Sequence, residues 1–324
     1  MEKKTSLVTI LFLFTATFAI NVSSQETSKK VLKTIVIDPG HGGNFPGAKG
    51  TFSYEKNVSL AVSLKLGKAI EKELPDIKLV YTRTTDENAG NKESLAEDLR
   101  YRADLANSSG GDLFISIHCN SAGKNPSGWY ERRVVSKIPK YRNVKNGKKT
   151  IKKKYYEYVY ETNWVENKVK GTETYIWASS KTDAKVNSMA KNNDYYGEID
   201  TISNITIPDP SDPVEMARML IYAQNYFRKS LSLADFVEKE FVAAGRNSRG
   251  VKQRNDKGIW VLQATGMPSI LIEIGFISNK EEEIYLNSEN GQNEIVANIM
   301  TALKNYKLSL EAKSLPPVEQ KKSF

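Results

Sequence analysis

The sequence contains very few cysteines and histidines. Among its 324 residues there is one cysteine, Cys119, and there are two histidines, His41 and His118. A single cysteine excludes an internal disulfide, so core packing, a bound metal or both must stabilise the chain. The sequence also lacks the GxGxxG and GxxxxGK spacings of nucleotide-binding loops, although the stretch 34–50, TIVIDPGHGGNFPGAKG, has five glycines. We therefore predict that these glycines allow sharp turns and do not bind a phosphate.

The first 24 residues have the composition of a secretory signal peptide. Two lysines precede an apolar run from about Leu7 to Ile20, and small residues follow it up to Ser24. We predict a signal peptide at 1–24 and a linker at 25–32, with an uncleaved N-terminal anchor as the alternative. The protein is then expected to be exported, with the periplasm as the predicted location, and to have no stable membrane span after signal cleavage. No cysteine follows the apolar run, which argues against a lipid anchor, and we expect no nucleic-acid partner for an exported chain.

Strand and helix patterns alternate along the rest of the chain. Periodicity and turn residues predict strands at 34–38, 77–82, 113–118, 173–177, 260–263 and 269–274. They predict helices at 55–73, 94–107, 213–244 and 293–306. This order indicates an α/β fold: a single domain, 33–310, with a mostly parallel twisted sheet flanked by helices on both faces. The domain carries two insertions, at about 124–170 and 181–212, and a tail, 311–324, that we expect to be disordered.

The insertion at 124–170 is strongly basic and rich in tyrosine. It contains 14 Lys or Arg and four Glu, while the net charge of the whole chain is +9. The dipeptide Asn146-Gly147 lies between two segments of alternating character, which is typical of a β-hairpin. A basic surface of this kind favours binding to an anionic polymer or a membrane surface. A hairpin whose charges are only solvated is the alternative.

Four residues have the chemistry of a metallohydrolase site. His41 lies just after the predicted strand 34–38 and His118 ends the predicted strand 113–118, and strand ends are where α/β proteins assemble their sites. Glu55 begins the next predicted helix, 14 residues after His41. Two histidines and one carboxylate are an established ligand set of catalytic zinc. Glu273 interrupts the apolar strand SILIEIGF, and beside a zinc-bound water it would be compensated by the metal and placed as a general base.

Each of these residues also has a structural alternative. A histidine at the end of a strand can be purely structural. The helix dipole alone would favour Glu55 at a helix start, and Glu273 could pair with a buried arginine. Finding both histidines of the chain at strand ends favours a metal site over these alternatives.

With these four residues in place, the chain resembles the zinc-dependent N-acetylmuramoyl-L-alanine amidases of the type 3 class. The similar segments follow the family's order: VIDPGHGG at 36–43, EKNVSL at 55–60, TRTTD at 82–86, RADLAN at 102–107, SIHCN at 116–120, GTETYIW at 171–177, RGVK at 249–252 and PSILIEIGFISN at 268–279. The resemblance implies that His41, Glu55 and His118 bind zinc and that Glu273 is the catalytic glutamate. It also implies that Asn120 and Arg249 contact the substrate.

The resemblance implies a function as well. It would be zinc-dependent hydrolysis of the amide bond between N-acetylmuramic acid and the L-alanine of the stem peptide in peptidoglycan, in cell-wall turnover or daughter-cell separation. Glu273 would take a proton from the attacking water and return it to the departing amine. Two other functions stay open: a non-catalytic peptidoglycan-binding module on the same fold, and a zinc peptidase that cuts within the stem peptide.

The insertion at 181–212 has a counterpart in some periplasmic relatives, where a helix blocks the site with a glutamate until an activator protein removes it. In this chain Val186 aligns with that glutamate, so either the blocking group is absent or another carboxylate, such as Asp183, Asp194 or Glu198, takes its place. We hypothesise that the insertion still covers the cleft and that an activator protein acts on it.

Overall fold

The computed structural model describes residues 32–123, 125–126, 128–189 and 212–314. Its strands are β1 (Thr34–Pro39), β2 (Lys78–Tyr81), β3 (Leu113–Asn120), β4 (Gly128–Asn146), β5 (Lys149–Glu166), β6 (Thr172–Ile176), β7 (Ser248–Gln253) and β8 (Ser269–Phe276). Its α-helices are α1 (Glu55–Glu73), α2 (Leu95–Ser108), α3 (Thr182–Met189), α4 (Pro213–Ala243), α5 (Trp260–Ala264), α6 (Lys280–Asn287) and α7 (Glu289–Ser314).

Six of these strands form one sheet in the order β2-β1-β3-β8-β6-β7. The strands β2, β1, β3 and β8 run parallel to one another, β6 is antiparallel to β8, and β7 is parallel to β6. Parallel neighbours need crossover connections, and α1 and α2 supply two of them. The predicted mostly parallel sheet is therefore confirmed.

Both faces of this sheet are apolar and covered by helices. On one face Ile35, Ile37 and their neighbours on β3 and β8 pack against α1, α4 and α7. On the other face Val36, Phe114 and Leu271 pack with residues of α2 and α5. Successive residues of β1 point to opposite faces, as in any strand, and both directions are buried. The predicted helices on both faces are confirmed.

Several element boundaries differ from the prediction. The segment 260–263, predicted as a strand, belongs to the helix α5, because a short apolar run does not by itself distinguish a buried strand from a buried helix. The sequence pattern did not reveal β7 or α6, which are rich in polar residues. The last helix continues to Ser314, so residues 311–314 of the expected tail are helical. Leu32, at the end of the expected linker, is buried in the core.

The described part of the insertion at 181–212 is mainly the helix α3. Val186, the residue aligned with the blocking glutamate, is buried against α4. Lys185 is fully buried, and its ammonium group donates hydrogen bonds of 2.9 Å to the carbonyl oxygen of Leu262 and to the hydroxyl of Ser269. Asp183 is exposed. This first part of the insertion is therefore packed onto the domain through α4, α5 and β8.

Other expectations concern residues outside the described part of the chain. These are the signal peptide at 1–24, most of the linker at 25–32, the last residues of the tail, and the segment 190–211 with Asp194 and Glu198. They stay predictions, as does the cover over the cleft. Within the described ranges, none of the helices combines the length and the apolar character needed to cross a bilayer.

The insertion at 124–170 forms a separate two-stranded antiparallel sheet, β4 and β5. Asn146 pairs with Lys149, and the loop between them begins with Gly147 at a φ of 63°. Glycine adopts this conformation without steric cost, so the hairpin predicted from Asn146-Gly147 is confirmed. Most side chains on both of its faces are exposed.

Candidate active site

Three side chains from separate elements meet at the carboxyl ends of β1 and β3. His41 follows β1, His118 lies near the end of β3, and Glu55 is the first residue of α1. Glu55 Oε2 lies 3.1 Å from His41 Nε2, and Glu55 Oε1 lies 2.7 Å from His118 Nδ1. One ligand atom from each residue falls within 4.8 Å of the others. In the part of the chain that the structure describes, this is the one cluster of His, Cys, Asp or Glu whose spacing could hold a metal ion.

Two buried arginines hold the backbone around His41. His41 has a φ of 61°, a left-handed conformation that is uncommon for a residue with a side chain. Arg102 donates hydrogen bonds to the carbonyl oxygens of Pro39 (2.8 Å) and His41 (2.6 Å). Arg83 donates to those of Pro39 (3.0 Å) and Gly40 (2.8 Å). These hydrogen bonds determine the direction in which His41 leaves β1.

Two glycines in the same loop leave space for the cluster. A Cβ atom on Gly40 would lie 2.4 Å from His118 Nε2. A Cβ atom on Gly47, which has a φ of 71°, would lie 2.5 Å from Glu55 Oε2. Neither position accepts a side chain unless a member of the cluster moves, which explains part of the glycine-rich sequence in physical terms.

Arg102 forms ion pairs with two buried aspartates. Its Nε donates to Asp98 at 2.6 Å, and its Nη1 donates to Asp38 at 2.7 Å. Asp38 also accepts hydrogen bonds from the hydroxyls of Thr82 and Ser116. Burial by itself would raise the pKa of Asp38, but the Arg102 charge and these hydrogen bonds outweigh burial and hold the pKa below its usual value. Each charged group of this network therefore has an oppositely charged partner within hydrogen-bond distance, as the low dielectric of the interior requires.

Backbone amides also hold the Glu55 carboxylate in place. The backbone amides of Ala48 and Cys119 donate to it at 2.8 Å and 3.0 Å. Burial would raise the pKa of Glu55, but the hydrogen bonds to His118 and His41 outweigh it and hold the pKa far below its usual value. Burial also lowers the pKa of His118, against the effect of Glu55. An ionised carboxylate and a neutral imidazole are the protonation states that bind a metal.

Glu273 lies beside this cluster. It is in register with His118 on β3 and with Glu173 on β6, so the three residues form a row across neighbouring strands. Glu273 is 8% exposed, and its Oε2 is buried without a hydrogen-bond partner among the described residues. Burial, followed by the charge of Glu55, raises the pKa of Glu273 well above its usual value. A buried carboxyl oxygen without a partner is costly unless a ligand or a proton satisfies it, so this group is suited to exchange a proton with a bound molecule.

A cavity of about 450 Å³ contains the cluster and Glu273. Its polar lining includes Asn120, Ser121 and Arg254, and its apolar lining includes Trp260 and Leu271. None of the described residues of the 181–212 insertion lines it. A concave site with one apolar wall and a few convergent polar groups is typical of ligand-binding pockets.

Of the two residues predicted to contact substrate, Asn120 lines the cavity and Arg249 does not. The Asn120 amide donates to Glu173 Oε2 at 2.9 Å, and the Tyr175 hydroxyl donates to the same oxygen at 2.8 Å. Arg249 Nε donates to Glu173 Oε1, and Lys252 donates to it at 2.7 Å. Glu173 thus orients Asn120 at the cavity and forms ion pairs with both Arg249 and Lys252.

Three residues of the site, Glu173, Arg83 and Arg102, were not predicted from the sequence. Glu173 carries the same signal as Glu273, a carboxylate within a strand that is otherwise buried, and this pattern could have identified it. The two arginines lie in the segments TRTTD and RADLAN. Arginine is normally exposed, so nothing local in these segments indicates that the two side chains are buried.

The chain is similar over most of its length to known amidases. The family model described as N-acetylmuramoyl-L-alanine amidase matches residues 35–305. The chain is 28% identical to the probable N-acetylmuramoyl-L-alanine amidase AmiB of Haemophilus influenzae, over 91% of this chain and 55% of that protein. It is 26% identical to the N-acetylmuramoyl-L-alanine amidase AmiC of Escherichia coli, over 84% of this chain and 52% of that protein. The chain therefore spans about half the length of these two relatives.

A shorter relative and a solved structure match over nearly their whole length. A putative N-acetylmuramoyl-L-alanine amidase of Buchnera aphidicola is 28% identical, over 86% of this chain and 95% of that protein. The crystal structure of the N-acetylmuramoyl-L-alanine amidase from Clostridium difficile 630 has a TM-score of 0.51 at 24% identity, over 86% of this chain and 98% of that chain. At this identity the structural likeness shows the fold alone, and it agrees with the α/β architecture.

Proposed function

Since the chain belongs to the N-acetylmuramoyl-L-alanine amidase family, we propose that it hydrolyses the amide bond between N-acetylmuramic acid and the L-alanine of the peptidoglycan stem peptide. The reaction would serve cell-wall turnover or daughter-cell separation. The observation that supports this most is the position of Glu273, a buried carboxyl with an unpartnered oxygen in the same cavity as His41, Glu55 and His118.

The donor atoms of the cluster fit zinc. Two imidazole nitrogens and one carboxylate oxygen, bordering an open cavity, are typical of catalytic zinc sites. We propose that His41, Glu55 and His118 hold the ion, which when bound would supply Lewis acidity towards a carbonyl oxygen and would acidify water. The hydrogen bonds to Glu55 and to the backbone of His41 orient these ligands, and such outer contacts support metal affinity.

Glu273 would handle the proton in this reaction. It would accept the proton of the attacking water and deliver it to the amine of L-alanine as the amide bond breaks. Glu273 is buried in the same cavity as the proposed ligands, so a proton on its carboxyl would be shielded from bulk water between the two transfers. Asn120 would hydrogen-bond the substrate from the cavity wall. Arg249 would act indirectly, by neutralising Glu173, since its guanidinium is already paired there.

We also propose that the protein acts outside the cytoplasm, in the periplasm, where its polymer substrate would be found. The composition of residues 1–24 supports this location. The hypothesis that an activator protein acts on the 181–212 insertion stays part of the proposal. The described residues support only that the insertion begins with a helix packed on α4 and α5.

The alternative functions differ in their products. A non-catalytic peptidoglycan-binding module would release nothing, and a zinc peptidase would leave the L-alanine attached to the glycan. Burying a carboxyl oxygen without a hydrogen-bond partner costs free energy of folding, and binding alone does not require such a group. The position of Glu273 therefore favours catalysis over binding alone.

Digestion of purified peptidoglycan by the full chain tests the proposal. Mass spectrometry should detect intact stem peptides with N-terminal L-alanine after digestion by the wild type. Glu273→Ala should keep its zinc content and lose activity by about 10²-fold or more. The matched control is Glu71→Ala, which removes an exposed glutamate of α1 and should leave activity unchanged. Peptides without the L-alanine would indicate the peptidase, and full activity of zinc-loaded Glu273→Ala would refute the assigned role.

A further inference from the structure

The hairpin formed by β4 and β5, called the ribbon below, has no role in the proposed reaction. Its strand β4 has 19 residues and extends over about 60 Å. The ribbon follows closely after Asn120 and Ser121, which line the cavity. The Ala122 amide donates to the hydroxyl of Ser278, and the side chain of Asn167, just after β5, donates to the carbonyl oxygen of Ser278. Both ends of the ribbon are therefore held beside the end of β8, next to the candidate active site.

One face of the ribbon combines aromatic rings with cations. Directly paired residues share a face and successive residues alternate, so the strand register assigns each side chain to a face. The first face, called the tyrosine face, carries six large aromatic side chains: Tyr130, Tyr141, Tyr156, Tyr158, Tyr160 and Trp164. It also carries five cations: Arg132, Lys137, Lys145, Lys152 and Lys154. Its one carboxylate, Glu166, lies at the base and pairs with Lys168.

On the opposite face, called the glutamate face, carboxylates offset part of the positive charge. This face also carries five cations: Arg133, Lys140, Arg142, Lys149 and Lys153. Three glutamates share this face: Glu131, Glu157 and Glu161. Two of them form ion pairs there, Glu131 with Arg133 at 2.8 Å and Glu157 with Lys140 at 3.2 Å.

On the tyrosine face four of the five cations lie over aromatic rings, whereas the glutamate face has one such contact, Arg142 over Tyr155. Arg132 is 3.7 Å from the ring centre of Tyr160, and Lys154 is 5.1 Å from that of Tyr156. A cation over a ring keeps its net charge, and none of the five cations forms an ion pair within the described residues. The six aromatic side chains are 44–71% exposed. A row of exposed aromatic rings of this extent marks an interaction surface.

We propose that the tyrosine face binds the peptidoglycan of the cell wall, with its rings on the sugars and its cations on the carboxylates of the stem peptides. This inference rests on the proposed amidase function, because the ribbon would hold the same polymer that the neighbouring cavity cuts. The unpaired cations complement the carboxylates of the polymer. The apolar faces of sugar rings pack on tyrosine and tryptophan rings, whose polar ends stay in water. A surface about 60 Å long contacts several repeats of the polymer at once, so individually weak contacts give firm attachment.

Two charge variants of the full chain test the choice of face. Both carry Glu273→Ala, so that the polymer stays intact during co-sedimentation with insoluble peptidoglycan. The tyrosine-face variant has four substitutions: Lys137→Gln, Lys145→Gln, Lys152→Gln and Lys154→Gln. The glutamate-face variant loses the same number of charges: Lys140→Gln, Arg142→Gln, Lys149→Gln and Lys153→Gln. All eight positions are exposed, so both variants should fold, and their circular dichroism spectra should match that of the parent.

The tyrosine-face variant should bind peptidoglycan about tenfold more weakly than the parent, and the glutamate-face variant should change by no more than about threefold. A third variant, Tyr156→Ser with Tyr158→Ser, keeps the charge and should weaken binding even at high salt, where charge attraction is screened. Equal loss in both charge variants would indicate general attraction of charge and would overturn the proposal. Unchanged binding in the tyrosine-face variant would overturn it as well.

Two further measurements distinguish glycan binding by the ribbon from general binding of polyanions and from the proposed amidase activity. At physiological salt, equal affinity of the parent for double-stranded DNA and for peptidoglycan would overturn the assignment to a glycan. With an intact Glu273, hydrolysis of a short soluble muramyl peptide should be the same with and without the tyrosine-face substitutions. If the wild type hydrolyses neither peptidoglycan nor the muramyl peptide, the proposed amidase activity is refuted. The co-sedimentation result still decides whether the ribbon binds the polymer.

Discussion

Glu283→Gln should destabilise the protein by loosening the loop before Glu55. Glu283 lies on α6 and is fully buried. Its carboxylate accepts hydrogen bonds from the backbone amides of Thr51 (2.8 Å), Phe52 (2.9 Å) and Ser53 (2.9 Å), and from the hydroxyls of Thr51 and Ser53. One side chain of α6 therefore holds the three residues that lead into α1.

The size of the effect follows from these hydrogen bonds. Glutamine keeps one acceptor oxygen and presents an NH2 group in place of the other. If the oxygen serves Phe52 and Ser53, the amide of Thr51 loses its acceptor. A buried N–H group without a partner costs about 1–3 kcal/mol, and each hydrogen bond that loses a charged acceptor weakens by about 1 kcal/mol. Since such contributions are not additive, we expect the free energy of unfolding to fall by about 2–4 kcal/mol.

Urea unfolding followed by tryptophan fluorescence measures this change. With a slope of about 2 kcal/mol per molar urea, the midpoint should fall by about 1–2 M. The control is Glu281→Gln on the same helix, where the side chain is 84% exposed, and it should change stability by less than about 0.5 kcal/mol. Equal midpoints of Glu283→Gln and the control would refute the reasoning. The zinc affinity of Glu283→Gln, measured by chelator competition, should fall about tenfold. An unchanged affinity would refute the idea that Glu283 positions Glu55 through the loop.

Two further predictions concern the same loop. Gly47→Ala should lower zinc affinity about tenfold or more, because its Cβ would lie 2.5 Å from Glu55 Oε2. Gly245→Ala is the control in chelator competition, since Gly245 has a similar φ of 78° and open space around a Cβ, and equal affinities would contradict the prediction. The stabilisation by Glu283 should also depend on pH: burial would raise its pKa, but the hydrogen bonds from the loop outweigh burial and lower the pKa. The stabilisation is then fully present above the unfolded pKa of about 4.3 and is lost as the pH falls below it. In urea titrations the difference in unfolding free energy between wild type and Glu283→Gln should therefore shrink from about pH 6 to pH 3. A constant difference would contradict this prediction.

Much of the candidate site could be predicted because its residues interrupt local patterns. The two histidines of the chain each end an apolar strand, and Glu273 interrupts another. Such departures from strand periodicity can be seen without knowledge of the fold. The alternation of strands and helices likewise indicated the parallel sheet, whose carboxyl edge brings His41, Glu55 and His118 within reach of one another.

Other parts of the site depend on contacts between distant segments. Glu173 joins it only because β6 pairs with β8 and sets Glu173 opposite Glu273. Arg102 holds the carbonyl of His41 from a position 61 residues later in the chain. Glu173 interrupts a buried strand, but this local signal does not show which residue lies opposite it, and Arg102 gives no local signal of its burial. Their roles follow from strand order and helix packing, which are properties of the whole chain.

The ribbon shows most clearly which features follow from local sequence and which follow from strand pairing. The sequence by itself determined that a basic, tyrosine-rich hairpin turns at Asn146-Gly147, because composition and turn residues are local. Only the tertiary structure decided which residues share a face. A bulge between Val134 and Ser136 shifts the alternation along β4, so Arg132 lies on the tyrosine face and Glu131 on the other. Simple alternation would place Glu131 among the tyrosines, and the pairing between strands determines the outcome instead.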